Sequence, residues 1–232
     1  MSKKELYLQE AVDLVGRLEK IFPFGFAAGD FALDLWKGES PKSIDFFVPS
    51  LTNNDYYYDD KFFMSQNQCK LVLEQEFNND ITKNVKIRKI DRFSRNYESG
   101  YIHSVDFFRI CGWRVQIIQW KAPSDQFFQN HVLDRLPISI QSIGFSNNKY
   151  VVSDRFIDSI YKKEIGVVSD FFGKYDFKRI YFINQQAEKF PHFNINYEPI
   201  HNLDALIKRK NIKKKINNDI IEYKKTKTNI TI

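Results

Sequence analysis

Two apolar runs, separated by a short amphipathic stretch and punctuated by glycines, constrain this chain more than any other feature. Residues 24–28 are almost wholly apolar and read as a buried strand. Gly29 ends that run, and residues 30–36 carry the spacing of a short helix. Residues 38–41 form a turn containing Gly38 and Pro41, and residues 43–48 are a second apolar strand. Strand, helix and strand in such close succession place the chain in the α/β (α+β) class. The expected architecture is a mixed sheet flanked by helices, followed by a helical C-terminal region.

The surrounding sequence extends this pattern. Residues 4–20 form an amphipathic helix with Leu6, Ala11, Val12, Leu14, Val15 and Leu18 on its apolar stripe. A polar aromatic loop at 52–60 precedes a helix over 61–77, whose inward candidates are Phe62, Phe63, Cys69, Leu71 and Leu73. Residues 84–90 alternate as a strand does. Residues 101–110 and 113–120 form a hairpin across Cys111-Gly112, and 138–145 pairs with 149–152 across Asn147-Asn148. A helix opens within 123–133, with Ser124 as its N-cap candidate, and later helices cover 154–163, 175–190 and 203–225. The expected division is a domain over 1–160, a helical extension over 161–206 and a basic tail over 207–232.

Charge is unevenly spread. The chain carries +6 overall, and residues 207–232 hold nine Lys/Arg against Asp219 and Glu222, so the tail alone is +7 and residues 1–206 are −1. Within it, Lys208, Arg209, Lys210, Lys213, Lys214 and Lys215 flank isoleucines at helical spacing. An amphipathic basic helix of this kind suits the phosphates of RNA or another nucleic acid, or an acidic protein surface. It is equally the pattern of an ordinary solvated tail. Cys69 and Cys111 have no metal-ligand spacing and suit a reducing compartment, while no run reaches the length of a membrane span. The chain is therefore expected to be intracellular, cytoplasmic and without a membrane partner. The four histidines lack ligand spacing, and no phosphate-loop or dinucleotide motif is present. The AT-rich residue usage points towards a viral or phage source.

Residues 28–48, AGDFALDLWKGESPKSIDFFV, resemble the active-site signature of the nucleotidyltransferase superfamily, specifically the head domain of poly(A) polymerases and CCA-adding enzymes. In that signature a strand runs into Gly-Gly and a helix carrying Arg-Asp. A glycine turn and a Pro-Lys-Asp-Ile-Asp strand follow. Seven positions match without a gap: Gly29, Asp34, Gly38, Pro41, Lys42, Ile44 and Asp45. A weaker resemblance, to phage-type members, runs through Val115-Gln116-Ile117-Ile118 and Leu136-Pro137-Ile138-Ser139, where Pro137 stands at an acidic position.

The resemblance implies a nucleotidyltransferase-like fold and a nucleotide site that includes Gly29, Asp34, Lys42 and Ser43. It also implies a catalytic and metal-binding role for Asp45, since alternate strand residues share a face and two aspartates there hold Mg²⁺ or Mn²⁺. The departures fall on that machinery. Ser43 takes the place of the first metal-binding aspartate, and a hydroxyl is a poor ligand for Mg²⁺. Asp30 adds an anion where the second glycine stands, and Leu33 replaces the arginine. A rebuilt cage would draw on Asp30, Glu98 or Asp106.

Three readings are open. The first is a degenerate, non-catalytic nucleotidyltransferase-fold protein that binds RNA or a protein partner and needs no cofactor. The second is an active template-independent transferase using Asp45 with relocated carboxylates and Mg²⁺ or Mn²⁺. The third is a structural or host-interaction protein of a virus or phage that keeps the fold for packing.

Overall fold

The computed structural model describes residues 2–51, 66–77, 101–122, 127–166 and 176–196. Its elements are α1 (Lys3–Ile21), β1 (Phe26–Ala28), α2 (Asp30–Trp36), β2 (Ile44–Leu51), α3 (Gln66–Phe77), β3 (Ile102–Ile110), β4 (Trp113–Ala122), α4 (Phe128–Leu133), β5 (Ile143–Ser146), β6 (Lys149–Val152), α5 (Asp154–Lys162), β7 (Glu164–Gly166), α6 (Asp176–Lys189) and β8 (Asn194–Asn196). The expected loop at 52–60, Phe62, Phe63, the strand at 84–90, Glu98, and the helix and lysines of the basic tail lie outside the described residues.

Six strands form one mixed sheet in the order β3-β4-β2-β1-β5-β6. Only β2 and β4 run parallel, in register from Ile44↔Val115 to Leu51↔Ala122; the other pairs are antiparallel. Pro49 is compatible with β2 because β1 pairs only with Asp45, Phe46 and Phe47. Beyond them no strand among the described residues pairs with that side of β2, so a missing N–H there costs no ladder bond among them.

Alternation divides the sheet into two faces. Ala27, Ile44, Phe46, Phe108, Val115 and Ile117 enter the larger core with Leu14, Val15 and Leu18 of α1 and Cys69 and Leu73 of α3. Phe26, Phe47, Val105, Ile118 and Trp120 enter a smaller core beneath Phe128, Val132 and Leu133 of α4. Full burial of a side chain such as Leu18 contributes about 1.5–3 kcal/mol, so the first face dominates the stability of the fold. A Cβ on Gly25 would stand 2.5 Å from Cε1 of Phe46 and 3.0 Å from the Phe22 carbonyl oxygen, so any larger residue there would displace the ring.

Local signals explain most boundaries. Ser2 caps α1 in a reciprocal box: its hydroxyl accepts from the Glu5 amide, and the Glu5 carboxylate accepts from the Ser2 amide. Ser153 caps α5 by accepting from the Phe156 amide. Other expectations are corrected. Leu6 and Leu71 are exposed rather than inward, because each lies off the stripe that meets the sheet. The helix expected within 123–133 is seen over Phe128–Leu133 with Phe127 at its N-cap and no side-chain cap, while Ser124 lies outside the described residues. Strand β5 begins at Ile143, since Ser139–Gln141 is a 3-10 turn. The region after 160 is not purely helical: β7 and β8 pair in parallel from Glu164↔Asn194 to Gly166↔Asn196 on either side of α6.

Candidate functional site

The sequence signature folds into one place, at the junction of β1, α2 and β2. Gly29 has φ 71 and ψ −136, a conformation closed to side-chain-bearing residues, and this turns the chain from β1 into α2. Its amide donates to the carbonyl of Ile143 at 3.0 Å, so that N–H serves the fold and does not point to a ligand. Antiparallel pairing sets Ala28 opposite Asp45, which brings α2 beside the start of β2.

Asp45 is flanked in register by Ala28 on β1 and Gln116 on β4. Its Oδ1 is inaccessible and has no hydrogen-bond partner, although the residue keeps some exposed surface. Burial, with a smaller contribution from the charge of Asp30, pushes its pKa up to about 7 against the opposing charge of Arg114. At neutral pH this carboxyl is thus divided between its acid and carboxylate forms.

The neighbouring carboxylates are committed elsewhere. Oδ1 of Asp30 accepts from Nε2 of Gln141 at 2.9 Å and Nε2 of Gln186 at 2.7 Å, and Nζ of Lys189 stands 3.7 Å away. Asp34 is buried, and its Oδ1 accepts from Nζ of Lys189 at 2.6 Å. Burial works against the Lys189 ammonium. The Asp34 bond and the charges of Asp30, Asp34 and Glu39 together outweigh it and raise its pKa. The cation neutralising this corner is therefore a side chain of α6.

Asp106 is placed on the other side of the sheet. Asp45 is opposite Gln116, Gln116 is opposite Phe107, and Asp106 is opposite Ile117. One residue of offset reverses a strand side chain, so Asp106 faces the larger core with Ser104 and Gln119. It is buried there beside Cys69, whose Sγ is 3.8 Å from Nε2 of Gln119, and its Oδ2 has no partner. Burial raises the Asp106 pKa against the hydrogen bond from Gln119. Burial and the Asp106 charge push the Cys69 thiol up to about 12.

Of the expected nucleotide-site residues, Gly29 follows Ala28, the register partner of Asp45, and Asp34 lies one helical turn beyond Asp30 on α2, where it pairs with Lys189. Ser43 lies just before β2, on the alternation that Asp45 follows. Lys42 is exposed and lines a shallow depression of about 610 Å³ with Lys3, Lys4, Tyr7, Ser40 and Pro41. The Tyr7 hydroxyl donates to the Pro41 carbonyl, and its ring lies 4.3 Å from that of Trp113, which fixes the depression against α1. In the downstream resemblance, Val115 and Ile117 enter one core and Ile118 the other, while Leu136 and Ile138 anchor the turn carrying Pro137.

Residues the sequence left unmarked complete the site: Gln141, Gln186 and Lys189, and Arg109 and Arg114 on the hairpin. Gln186 and Lys189 are three apart and so share a helix face, the one trace of them in the sequence.

A nucleotidyl-transfer site of the resembled kind needs converging carboxylates for two divalent ions. The described residues do not fit that cage. Ser43 offers a hydroxyl, Asp30 is bonded to two amides, and Asp106 points away. Among the described residues no group of three His, Cys, Asp or Glu side chains is placed to hold a metal. Nor is any helix there long and apolar enough to cross a membrane.

The sequence matches no protein-family model and no curated protein. The fold does have solved counterparts. A CCA-adding enzyme in its apo form superposes with a TM-score of 0.55 at 15% identity, covering 82% of this chain and 40% of its own. The Thermotoga maritima CCA-adding enzyme complexed with tRNA gives 0.51 at 15% identity, with 82% and 40% covered. A tRNA-processing enzyme in an apo form gives 0.51 at 13% identity, with 81% and 44% covered. This chain spans less than half the length of each. At such identities the likeness establishes a nucleotidyltransferase-like fold.

Proposed function

We propose that this chain is a nucleotidyltransferase-fold protein that binds nucleic acid and does not transfer nucleotides. The observation that carries the reading is the separation of the carboxylates: Asp45 lies on one sheet face and Asp106 on the other, in adjacent registers. Asp30 is held by Gln141 and Gln186, and the Lys189 ammonium already neutralises Asp34. Support for the nucleic-acid partner comes from the tRNA complex of one structural counterpart and from the +7 balance of residues 207–232. A phage or viral source and a cytoplasmic setting belong to the same proposal and rest on composition.

The unpartnered Oδ1 of Asp45 favours a second reading, an active transferase, because a bound cation or substrate hydroxyl would satisfy it. One assay separates the two. The protein is incubated with an RNA primer, each labelled nucleoside triphosphate and Mg²⁺ or Mn²⁺. The expected result is no extension; extension that Asp45→Ala abolishes would establish the transferase. RNA binding is measured in parallel, with Lys208, Arg209, Lys210, Lys213, Lys214 and Lys215 changed together to Gln in the full chain. Weaker, less salt-sensitive binding is expected, and unchanged binding removes the tail from the interface. Loss of RNA and nucleotide binding alike in the unaltered protein would leave the packing-only reading.

A further inference from the structure

We propose that Arg109 and Arg114, with Phe107 and Gln116 beside them, form a second binding site for single-stranded nucleic acid, on the sheet face that carries Asp45. The inference rests on the nucleic-acid half of the reading above but on none of the tail lysines.

Five observations carry it. The β3–β4 hairpin turns on Cys111 and Gly112, whose φ values of 49 and 82 suit the two-residue turn that locks strand register. That register sets Arg109 directly opposite Arg114 and Phe107 directly opposite Gln116. Arg114 and Gln116 alternate on the face of Asp45, and Arg114 is close enough to Asp45 for its charge to be felt there. Both arginines are exposed. Among the described residues neither has a carboxylate within salt-bridge distance.

Like charges directly opposite on a hairpin destabilise it, so nothing among the described residues accounts for the pair. An anion shared between two guanidiniums removes the repulsion, and planar guanidiniums match a phosphate group in a bidentate manner. Same-face residues along a strand are about 7 Å apart. A phosphate held by the arginines therefore leaves its own base over the half-buried Phe107 ring and within reach of the Gln116 amide. An aromatic face accepts any unstacked base, which selects a single strand over a duplex.

The test is binding of labelled single-stranded RNA to the full chain over a range of salt. It compares the unaltered protein with Arg109→Gln/Arg114→Gln, Phe107→Leu and the six-residue tail variant. The double arginine variant is expected to fold with an unchanged or slightly higher Tm, because it relieves a repulsion. Its slope of log K against log salt should fall by about 1.4, two contacts at about 0.7 each for single strands. Phe107→Leu keeps an apolar side chain in the core and should weaken binding about tenfold while leaving the slope alone. Unchanged slope and affinity in the double variant, with binding lost in the tail variant, would overturn this site and leave the proposed function standing. No binding by the unaltered protein overturns both. Equal binding of polyglutamate, or displacement of the RNA by low concentrations of nucleoside triphosphate, would overturn the assignment to a nucleic-acid strand.

Discussion

The two faces of the central sheet each hold an aspartate with a buried, unpartnered oxygen, in neighbouring registers but in opposite surroundings. Asp106 is buried on the sheet face that α3 covers, as are Ser104, Gln119 and the Cys69 thiol. Asp45 lies at the start of its strand, where α4 and its core end and two exposed arginines begin. The first is enclosed by the fold, whereas the second borders the surface. A carboxylate count from sequence treats them alike. Geometry separates them, because one step along a strand reverses a side chain.

Changes at each face sharpen the contrast. Phe46 fills the larger core and Phe47 the smaller one, so Phe46→Ala should cost about 3–5 kcal/mol and Phe47→Ala less, as read from urea unfolding. Equal costs would mean the two cores contribute alike.

The next largest effect concerns Asp45 and has a defined sign. Its folded pKa of about 7 lies above the ordinary aspartate value of 3.8, so between those pH values the folded state holds a proton that the unfolded chain has released. Stability therefore falls as pH rises through this window. Asp45→Asn should stabilise the protein by roughly 2–4 kcal/mol at pH 8, near the upper limit set by the shift, and change little near pH 4. A flat profile for the unaltered protein would show that the carboxyl is solvated. Lys189→Met should cost about 1.5–3 kcal/mol, the scale of a hydrogen bond to a charged group, because it strips Asp34 of its donor. No loss would show that water replaces the ammonium. The smallest test involves no energy difference. A thiol reagent should modify exposed Cys111 at once and buried Cys69 only on unfolding, checked by mass spectrometry.

Much of this fold was legible because its signals are local. Gly29 needs its positive φ, the Cys111-Gly112 turn fixes a hairpin, and the Ser2 and Ser153 caps mark helix starts within three residues. The signature from Gly29 to Asp45 gave the correct strand–helix–strand unit for the same reason. What failed was non-local. Leu71 has helical spacing but faces solvent, and the start of α4 lacks any capping oxygen. At the site, the signature placed Asp34 on α2 and Asp45 on β2, whereas Gln141, Gln186 and Lys189 reach α2 across 111 to 156 residues. No periodicity encodes such contacts. The face of Asp106 depended on a pairing register that only the folded hairpin sets.

The bond from Lys189 to Asp34 also has a consequence in time. The two residues lie 155 apart in the chain. At a synthesis rate of roughly 5–20 residues per second, the lysine follows the aspartate by about 8–30 s. During that interval burying Asp34 would leave its carboxylate without the ammonium that neutralises it in the folded protein. The bonds that hold Asp30 and Asp34 from α6 can form only after residues 186 and 189 have been made.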